Sequence, residues 1–140
     1  MIILDTNVAS ELMRPKPAYH VAIWLDRTGV DELYLTSITW LELKFGVELL
    51  PVGKRKTQLN DELDKLRRLF GGRILPFDLP AAEATARFAS SRQKSGRNVE
   101  WRDTQVAGIT LSRSAILATR NVRDFDGVGL ELINPWDAEP

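Results

Sequence analysis

Four carboxylates and one carboxamide in this sequence carry the kind of oxygen atom that holds a divalent cation: Asp5, Glu42, Asp103, Asn121 and Asp124. Such oxygen ligands suit Mg²⁺, with Mn²⁺ as the alternative. Carboxylates that meet at one place repel one another unless a cation lies between them. A cation bound there activates water and stabilises charge on a phosphate. The set therefore predicts a metal site that acts on a phosphate group.

Glu42 lies in the largely apolar stretch ITWLELKFGV, which also contains Lys44. Our interpretation supposes that three apolar residues spaced by four face the core: Leu41, Phe45 and Leu49. Glu42 then lies at the border of the core, where a carboxylate is costly unless it is paired or bound to a metal. The structural alternative is that Lys44 or another cation pairs with Glu42, or that Glu42 points to solvent.

The other members of the set also have structural alternatives. Asp103 is predicted in the first turn of a helix, where the helix dipole favours an anion. Asn121 and Asp124 are of residue types that cap loops. A turn explains Asp5 less well, because Asp5 directly ends an apolar run. The joint pattern, with carboxylates on separate elements, is what favours a metal site.

Uncharged and basic neighbours complete the candidate site: Thr6, Asn7, Thr119 and Arg120. Thr6 and Asn7 suit an Asx-type turn and a helix cap, with the Thr6 hydroxyl near the site and Asn7 as the cap. Arg120 either orients a phosphate or pairs with Asp5 or Asp124.

Apolar runs and amphipathic stretches alternate along the chain. Strands are predicted within 2–4, 32–38, 71–78, 115–119 and 130–135, and helices at 7–13, 18–27, 38–50, 54–70, 80–96 and 102–113. This alternation favours a parallel sheet covered by helices on both faces. Ligands of such sheets bind beyond the carboxyl ends of the strands. Asp5 follows the first strand and Asn121 and Asp124 follow the fourth, so we expect them at that edge.

Composition excludes several other chemistries. The chain of 140 residues is 44% hydrophobic, which fits one domain over residues 1–140. It has no cysteine and one histidine, so thiolate catalysis and zinc–cysteine sites are excluded.

The balanced charge argues against strong non-specific binding along nucleic acid. No apolar run is long enough to span a bilayer, so we expect a cytoplasmic protein without a membrane partner. Trp40 and Trp101 are interpreted as packing residues.

The segments ILDTN, WLEL, WRDTQVAGITL and LATRNVRDF resemble the four motifs of the PIN-domain ribonucleases. The resemblance spans nearly the whole chain. It is closest to the VapC toxins of bacterial toxin–antitoxin pairs, and within them to the FitB-like branch, of which RILPFD and NPWD are also typical. It implies a three-layer α/β/α sandwich with a central, mostly parallel sheet of four to five strands.

The resemblance also implies Mg²⁺- or Mn²⁺-dependent cleavage of RNA that leaves a 5′-phosphate. Carried onto matching positions, the acidic set is Asp5, Glu42 and Asp103, with Thr6 bonded near the site and Asn121 in the last motif. The implied partners are RNA, a second copy of the chain, and a cognate VapB-like antitoxin that joins it in a higher assembly and places a segment in the acidic cleft.

The fourth acidic position departs from part of the family. Some relatives have aspartate where this chain has Asn121, and Asp124 is the carboxylate available three residues later. Either residue is a candidate to complete the site. A neutral amide in place of a charged ligand weakens metal affinity. We expect this weakening to affect the binding of a second metal ion more than that of the first.

Two other functions are compatible with a strand that ends in aspartate. One is a non-enzymatic, receiver-like regulatory module in which the acidic cleft is metal-linked or Asp5 accepts a phosphoryl group. Thr119 fits that class loosely, but no lysine follows Lys94. The other is a haloacid-dehalogenase-like phosphatase, which has a second aspartate where this chain has Asn7.

Overall fold

A computed structural model of the chain describes residues 1–126 and 129–139. The strands in these ranges are β1 (Ile2–Leu4), β2 (Leu33–Thr36), β3 (Ile74–Leu75), β4 (Ile116–Ala118) and β5 (Glu131–Ile133). They form one sheet in the order β3-β2-β1-β4-β5, and every neighbouring pair is parallel. Because β1 is the middle strand, the residue that follows it lies at the centre of the carboxyl edge.

The helices of the same ranges are α1 (Thr6–Leu12), α2 (Tyr19–Thr28), α3 (Ser37–Glu48), α4 (Lys54–Phe70), α5 (Leu79–Lys94), α6 (Trp101–Ser112) and α7 (Val122–Phe125). The first six agree with the predicted helices to within two residues at each end. The sequence did not predict α7, which is a single turn and too short to show a hydrophobic period. None of the described helices is both long and apolar enough to span a bilayer.

Apolar side chains fill both faces of the sheet. Ile3 packs on one face in a cluster with Phe88 of α5 and Ile109 of α6. Leu4 packs on the other face in a cluster with Val8 of α1 and Phe70 of α4. Successive strand residues point to opposite faces, so a strand covered on both sides must be apolar throughout. The predicted three-layer α/β/α sandwich with a parallel sheet is confirmed.

Helices α5 and α6 approach each other closely at Gly108. A Cβ atom at this position would lie 1.8 Å from the Thr85 hydroxyl oxygen and 2.7 Å from the Ala81 carbonyl oxygen. The Thr85 hydroxyl donates to that same carbonyl at 2.7 Å, so it is held in place. Only glycine fits here, because the neighbouring atoms are backbone or fixed by it.

The predicted inward face of α3 is wrong. Leu41, Phe45 and Leu49 are 56%, 55% and 69% exposed. Thr39 and Val47 are the buried residues of this helix. The exposed residues and the buried residues each recur at helical spacing, and α3 has apolar residues on most of its sides. The helical period of the apolar residues therefore does not identify the inner face of α3. The helix therefore presents an apolar stripe to solvent.

Candidate functional site

Three helices begin at the carboxyl edge of the sheet, and each brings a carboxylate there. Asp5 follows β1 and is the N-cap of α1. Thr36 ends β2 and is the N-cap of α3, which places Glu42 in the second turn of that helix. Glu100 is the N-cap of α6, which places Asp103 in the first turn. For Asp5 and Glu42 the expected convergence follows from strands that pass directly into helices, whereas α6 follows α5 and precedes β4.

Asp5 is 4% exposed, and its oxygen atoms accept several hydrogen bonds. The Thr6 backbone N–H donates to Oδ1 at 2.9 Å. The Asn7 amide and the Thr119 hydroxyl donate to Oδ2 at 3.0 and 2.7 Å. Burial raises the pKa of Asp5 above its ordinary value, while these donors oppose the rise. The carboxylate is thus held in one orientation by neutral groups.

Asn7 and Arg120 connect the loops after β1 and β4. The Asn7 Oδ1 atom accepts from the Arg120 backbone N–H at 3.1 Å. The N-cap of α1 is Asp5, so the prediction that Asn7 caps this helix is wrong. The Arg120 guanidinium lies over the Trp136 ring, 5.0 Å from its centroid. Within residues 1–126 and 129–139, Arg120 forms no ion pair with either Asp5 or Asp124.

Glu42 is half-buried at the same edge. The Thr6 hydroxyl donates to its Oε1 atom at 3.1 Å, and Arg102 Nη1 lies 4.0 Å from its Oε2 atom. Lys44 instead pairs with Glu48 at 3.1 Å. Lys44 therefore does not neutralise Glu42, and Arg102 is the other cation that this alternative allowed. Burial, together with the charge of Asp5, raises the pKa of Glu42.

Asp103 has the most perturbed carboxyl group of the site. Its pKa is raised from 3.8 to about 7, and burial is the largest cause. The negative charges of four neighbours add to this effect: Asp5, Glu100, Asp124 and Glu42. Like charges at one place disfavour the ionised form. Five carboxyl groups from four separate elements therefore act on one another electrostatically.

Asp124 and Asp103 line a cleft of about 260 Å³. The other lining residues are Arg92, Asn98, Glu100 and Thr104. Asn121 precedes α7, and its backbone N–H donates to the Thr119 hydroxyl at 3.0 Å. The structure thus brings the Asp124 side chain to the cleft wall beside Asp103, and it ties the Asn121 backbone to a residue that also contacts Asp5.

Two arginines anchor the segment that carries Asp124. Arg92 Nη1 and Arg97 Nη1 each donate to the Asp126 carbonyl oxygen at 3.3 Å. Arg97 also forms an ion pair with the Asp126 carboxylate. Arg92 is largely buried and lies over the Phe88 ring, 5.2 Å from its centroid. These contacts fix the position of Asp124 relative to the end of α5.

At the start of α6 the sequence interpretation missed one residue and misassigned another. Glu100 was not included in the acidic set, although it stands three residues before Asp103. Trp101 is 61% exposed, so the prediction that it is a packing residue is wrong, whereas Trp40 does pack against a core cluster. The spacing of Glu100 and Asp103 places them on one side of a helical turn, and this was the available signal.

The donors at this edge fit a hard divalent cation by their chemistry, because all of them are oxygen atoms. In the part of the chain that the structure describes, no three carboxylate or imidazole groups already enclose a space for an ion. Burial is the largest cause of the raised pKa of Asp103, and the charges of the neighbouring carboxylates add to it. A divalent cation bound among these oxygen atoms would favour their ionised forms.

Comparison with known proteins gives a consistent result. The family model of the PIN domain matches residues 2–129. Plasmid stability protein StbB of Pseudomonas syringae pv. tomato is 42% identical over 99% of this chain and 100% of its own length. VapC ribonuclease Y4jK of Sinorhizobium fredii is 38% identical over 98% and 99%.

A solved structure of FitAB bound to an IR36 DNA fragment contains a chain with the same fold. It superposes with a TM-score of 0.92 at 38% identity, covering 100% of this chain and 99% of that one. This match leaves the receiver-like and phosphatase alternatives without support. The chain therefore belongs to the PIN-domain family, within its group of VapC-type toxins.

Proposed function

We propose that this chain is a metal-dependent endoribonuclease, the toxin of a toxin–antitoxin pair. The cation is Mg²⁺, with Mn²⁺ as a substitute, and the residues that hold it are Asp5, Glu42, Asp103 and Asp124. The observation that carries this proposal is the convergence of Asp5, Glu42 and Asp103 from three helix starts at one edge of the sheet, where burial and the surrounding carboxylates raise the pKa of Asp103 to about 7. A divalent cation relieves that repulsion when it binds.

A divalent cation supplies Lewis acidity and activated water to phosphodiester hydrolysis. The protein residues orient the groups that hold it. Thr119 and Asn7 fix one oxygen of Asp5, and Thr6 fixes one oxygen of Glu42. In this proposal Asn121 supports the site through its backbone bond to Thr119 rather than replacing Asp124 as a ligand.

The proposed substrate is RNA, and the proposed place of action is the cytoplasm, where a toxin meets cellular RNA. The relatives include a VapC ribonuclease and a chain of FitAB in a structure bound to a DNA fragment. We therefore assign this chain a cognate VapB-like antitoxin that covers the acidic cleft, and a higher assembly of the two proteins.

We also propose that the toxin is a homodimer that buries the exposed stripe of α3, formed by Leu41, Phe45 and Leu49. Three large apolar side chains more than half exposed on one helix face form a patch of the kind that mediates protein association. The stripe lies on the helix that also carries Glu42, which precedes Phe45 by three residues and Leu49 by seven, so the proposed interface borders the carboxylate.

The test is cleavage of an end-labelled structured RNA by the purified protein. Cleavage is expected with Mg²⁺ or Mn²⁺ and is expected to stop in excess EDTA. Asp5→Asn and Asp103→Asn are expected to lower the rate by at least about a hundredfold, because each removes a charged ligand. The matched control is Asp64→Asn, an exposed carboxylate on α4, which is expected to retain the rate. Cleavage that continues in EDTA, or that is equal in the Asp103 variant, refutes the proposal.

A further inference from the structure

Glu100 is an unusual choice for the place that it occupies. It is the N-cap of α6, and its Oε2 atom accepts from the Asp103 backbone N–H at 2.8 Å. Serine, threonine, asparagine and aspartate are the residues that normally cap helices. Glutamate is longer and loses more side-chain freedom when it is held in one position. Capping alone therefore does not explain a glutamate here.

The backbone around Glu100 is held firmly. Its carbonyl oxygen accepts from the Thr104 backbone N–H at 3.0 Å and from the Thr104 hydroxyl at 2.5 Å. Thr104 is buried, so this contact ties Glu100 to the interior of α6. The Glu100 backbone is thus held by the same helical turn that carries Asp103, and its carboxylate is tied to the Asp103 backbone N–H.

The charge of Glu100 enters a place that is already negative. Its side chain lines the cleft beside Asp103 and Asp124. Its charge also acts on Glu42, which belongs to another helix. The negative charge of Glu100 therefore acts on two carboxylates of the proposed site, Asp103 and Glu42. A cation in the cleft is attracted more strongly by each added negative charge.

We infer that Glu100 is a further cation-holding residue, which fixes the first turn of α6 with one carboxylate oxygen and retains the divalent ion with its charge. The inference rests on the proposed cation site. It extends that site to a residue at which capping and charge can be separated by substitution, because serine caps without charge and aspartate caps with charge.

The experiment measures Mn²⁺ binding to the full chain without RNA, by the electron paramagnetic resonance signal of free Mn²⁺. Glu100→Gln and Glu100→Ser are expected to raise the Kd for Mn²⁺ by about tenfold. This is the lower end of the usual effect of a residue that supports metal ligands, and we choose the lower end because Glu100 is exposed. Glu100→Asp is expected to bind within about twofold of the unchanged protein. The matched control is Glu131→Gln, an exposed residue at the amino end of β5.

Each result has one meaning. A raised Kd in the glutamine and serine variants, with recovery in the aspartate variant, supports the inference. Equal Kd values for Glu100→Gln and Glu131→Gln overturn it while leaving the proposed metal site intact. A Kd that is raised in Glu100→Gln but unchanged in Glu100→Ser also overturns the inference. Serine restores the helix cap without the charge, so the change in Kd would then come from loss of the cap. If the unchanged protein binds no Mn²⁺, the proposed function itself fails.

Discussion

Replacing Asp103 with asparagine is expected to stabilise the metal-free protein at pH 8. The folded state holds a proton on Asp103 up to a pKa of about 7, compared with 3.8 for an ordinary aspartate. The stability that the protonated group contributes is fully present below pH 3.8 and is lost as the pH rises through about 7. At pH 8 Asp103 is ionised among other carboxylates, and the asparagine variant avoids that repulsion.

The magnitude follows from the displacement of the pKa. At about 1.4 kcal/mol for each pH unit, the change from 3.8 to about 7 corresponds to at most about 4 kcal/mol. Water reaches the half-buried side chain and screens its charge, which reduces this to about 2 kcal/mol. Asparagine also loses the favourable contact of an anion with the start of α6, worth about 0.5 kcal/mol. The expected net gain is about 1.5 kcal/mol, or about 5 °C in Tm.

The assay is equilibrium urea unfolding in EDTA at pH 5.5 and pH 8. Asp103→Asn is expected to be more stable than the unchanged protein at pH 8, and the difference is expected to shrink at pH 5.5. Asp64→Asn controls for loss of a surface charge. Saturating Mn²⁺ is expected to reverse the order, because only the unchanged protein binds it tightly. An asparagine variant that is less stable than the unchanged protein at pH 8 in EDTA would refute the electrostatic argument.

Three further changes test other parts of the structure. Gly108→Ala is expected to destabilise the fold by about 3 kcal/mol in urea unfolding, because the added Cβ collides with Thr85. Its control, Gly46→Ala, has open space around the added Cβ and is expected to raise the free energy of unfolding by about 0.5 kcal/mol. Equal stabilities of the two variants would contradict this packing. Thr119→Val removes a buried donor to a carboxylate and is expected to cost about 2 kcal/mol in the same measurement; no loss would show that this bond is unimportant. Phe45→Glu is expected to convert a dimer to a folded monomer in light scattering after size exclusion, and a dimer of unchanged affinity would exclude the α3 stripe as the interface.

Much of the fold follows from the sequence because its signals are local. The run at residues 2–4 is apolar at every position, which predicts a strand with both faces covered, and β1 is the central strand. The leucines of α4 repeat at helical spacing, and its observed bounds are those predicted, Lys54–Phe70. Asp5 directly follows the first strand, so topology alone places it at the carboxyl edge.

Other features depend on contacts that a local pattern does not contain. The inner face of α3 is decided by which neighbours surround it, since either of its apolar stripes satisfies the period. Glu100 was missed because it serves as an N-cap of an uncommon type. The environment of Asp124 depends on Arg92 and Arg97, which are about thirty residues away and fix its segment through the Asp126 carbonyl oxygen.

The close approach of α5 and α6 at Gly108 has a consequence for how this protein is switched off. Rotation or sliding of α6 would drive side chains into the Thr85 region, so Asp103 moves only if α5 moves with it. We therefore expect an inhibitor of the proposed site to cover the cleft rather than to select a displaced position of this helix. One inhibitor molecule would then silence one cleft, inhibition would rise in proportion to occupancy, and activity would return when the inhibitor dissociates or is degraded.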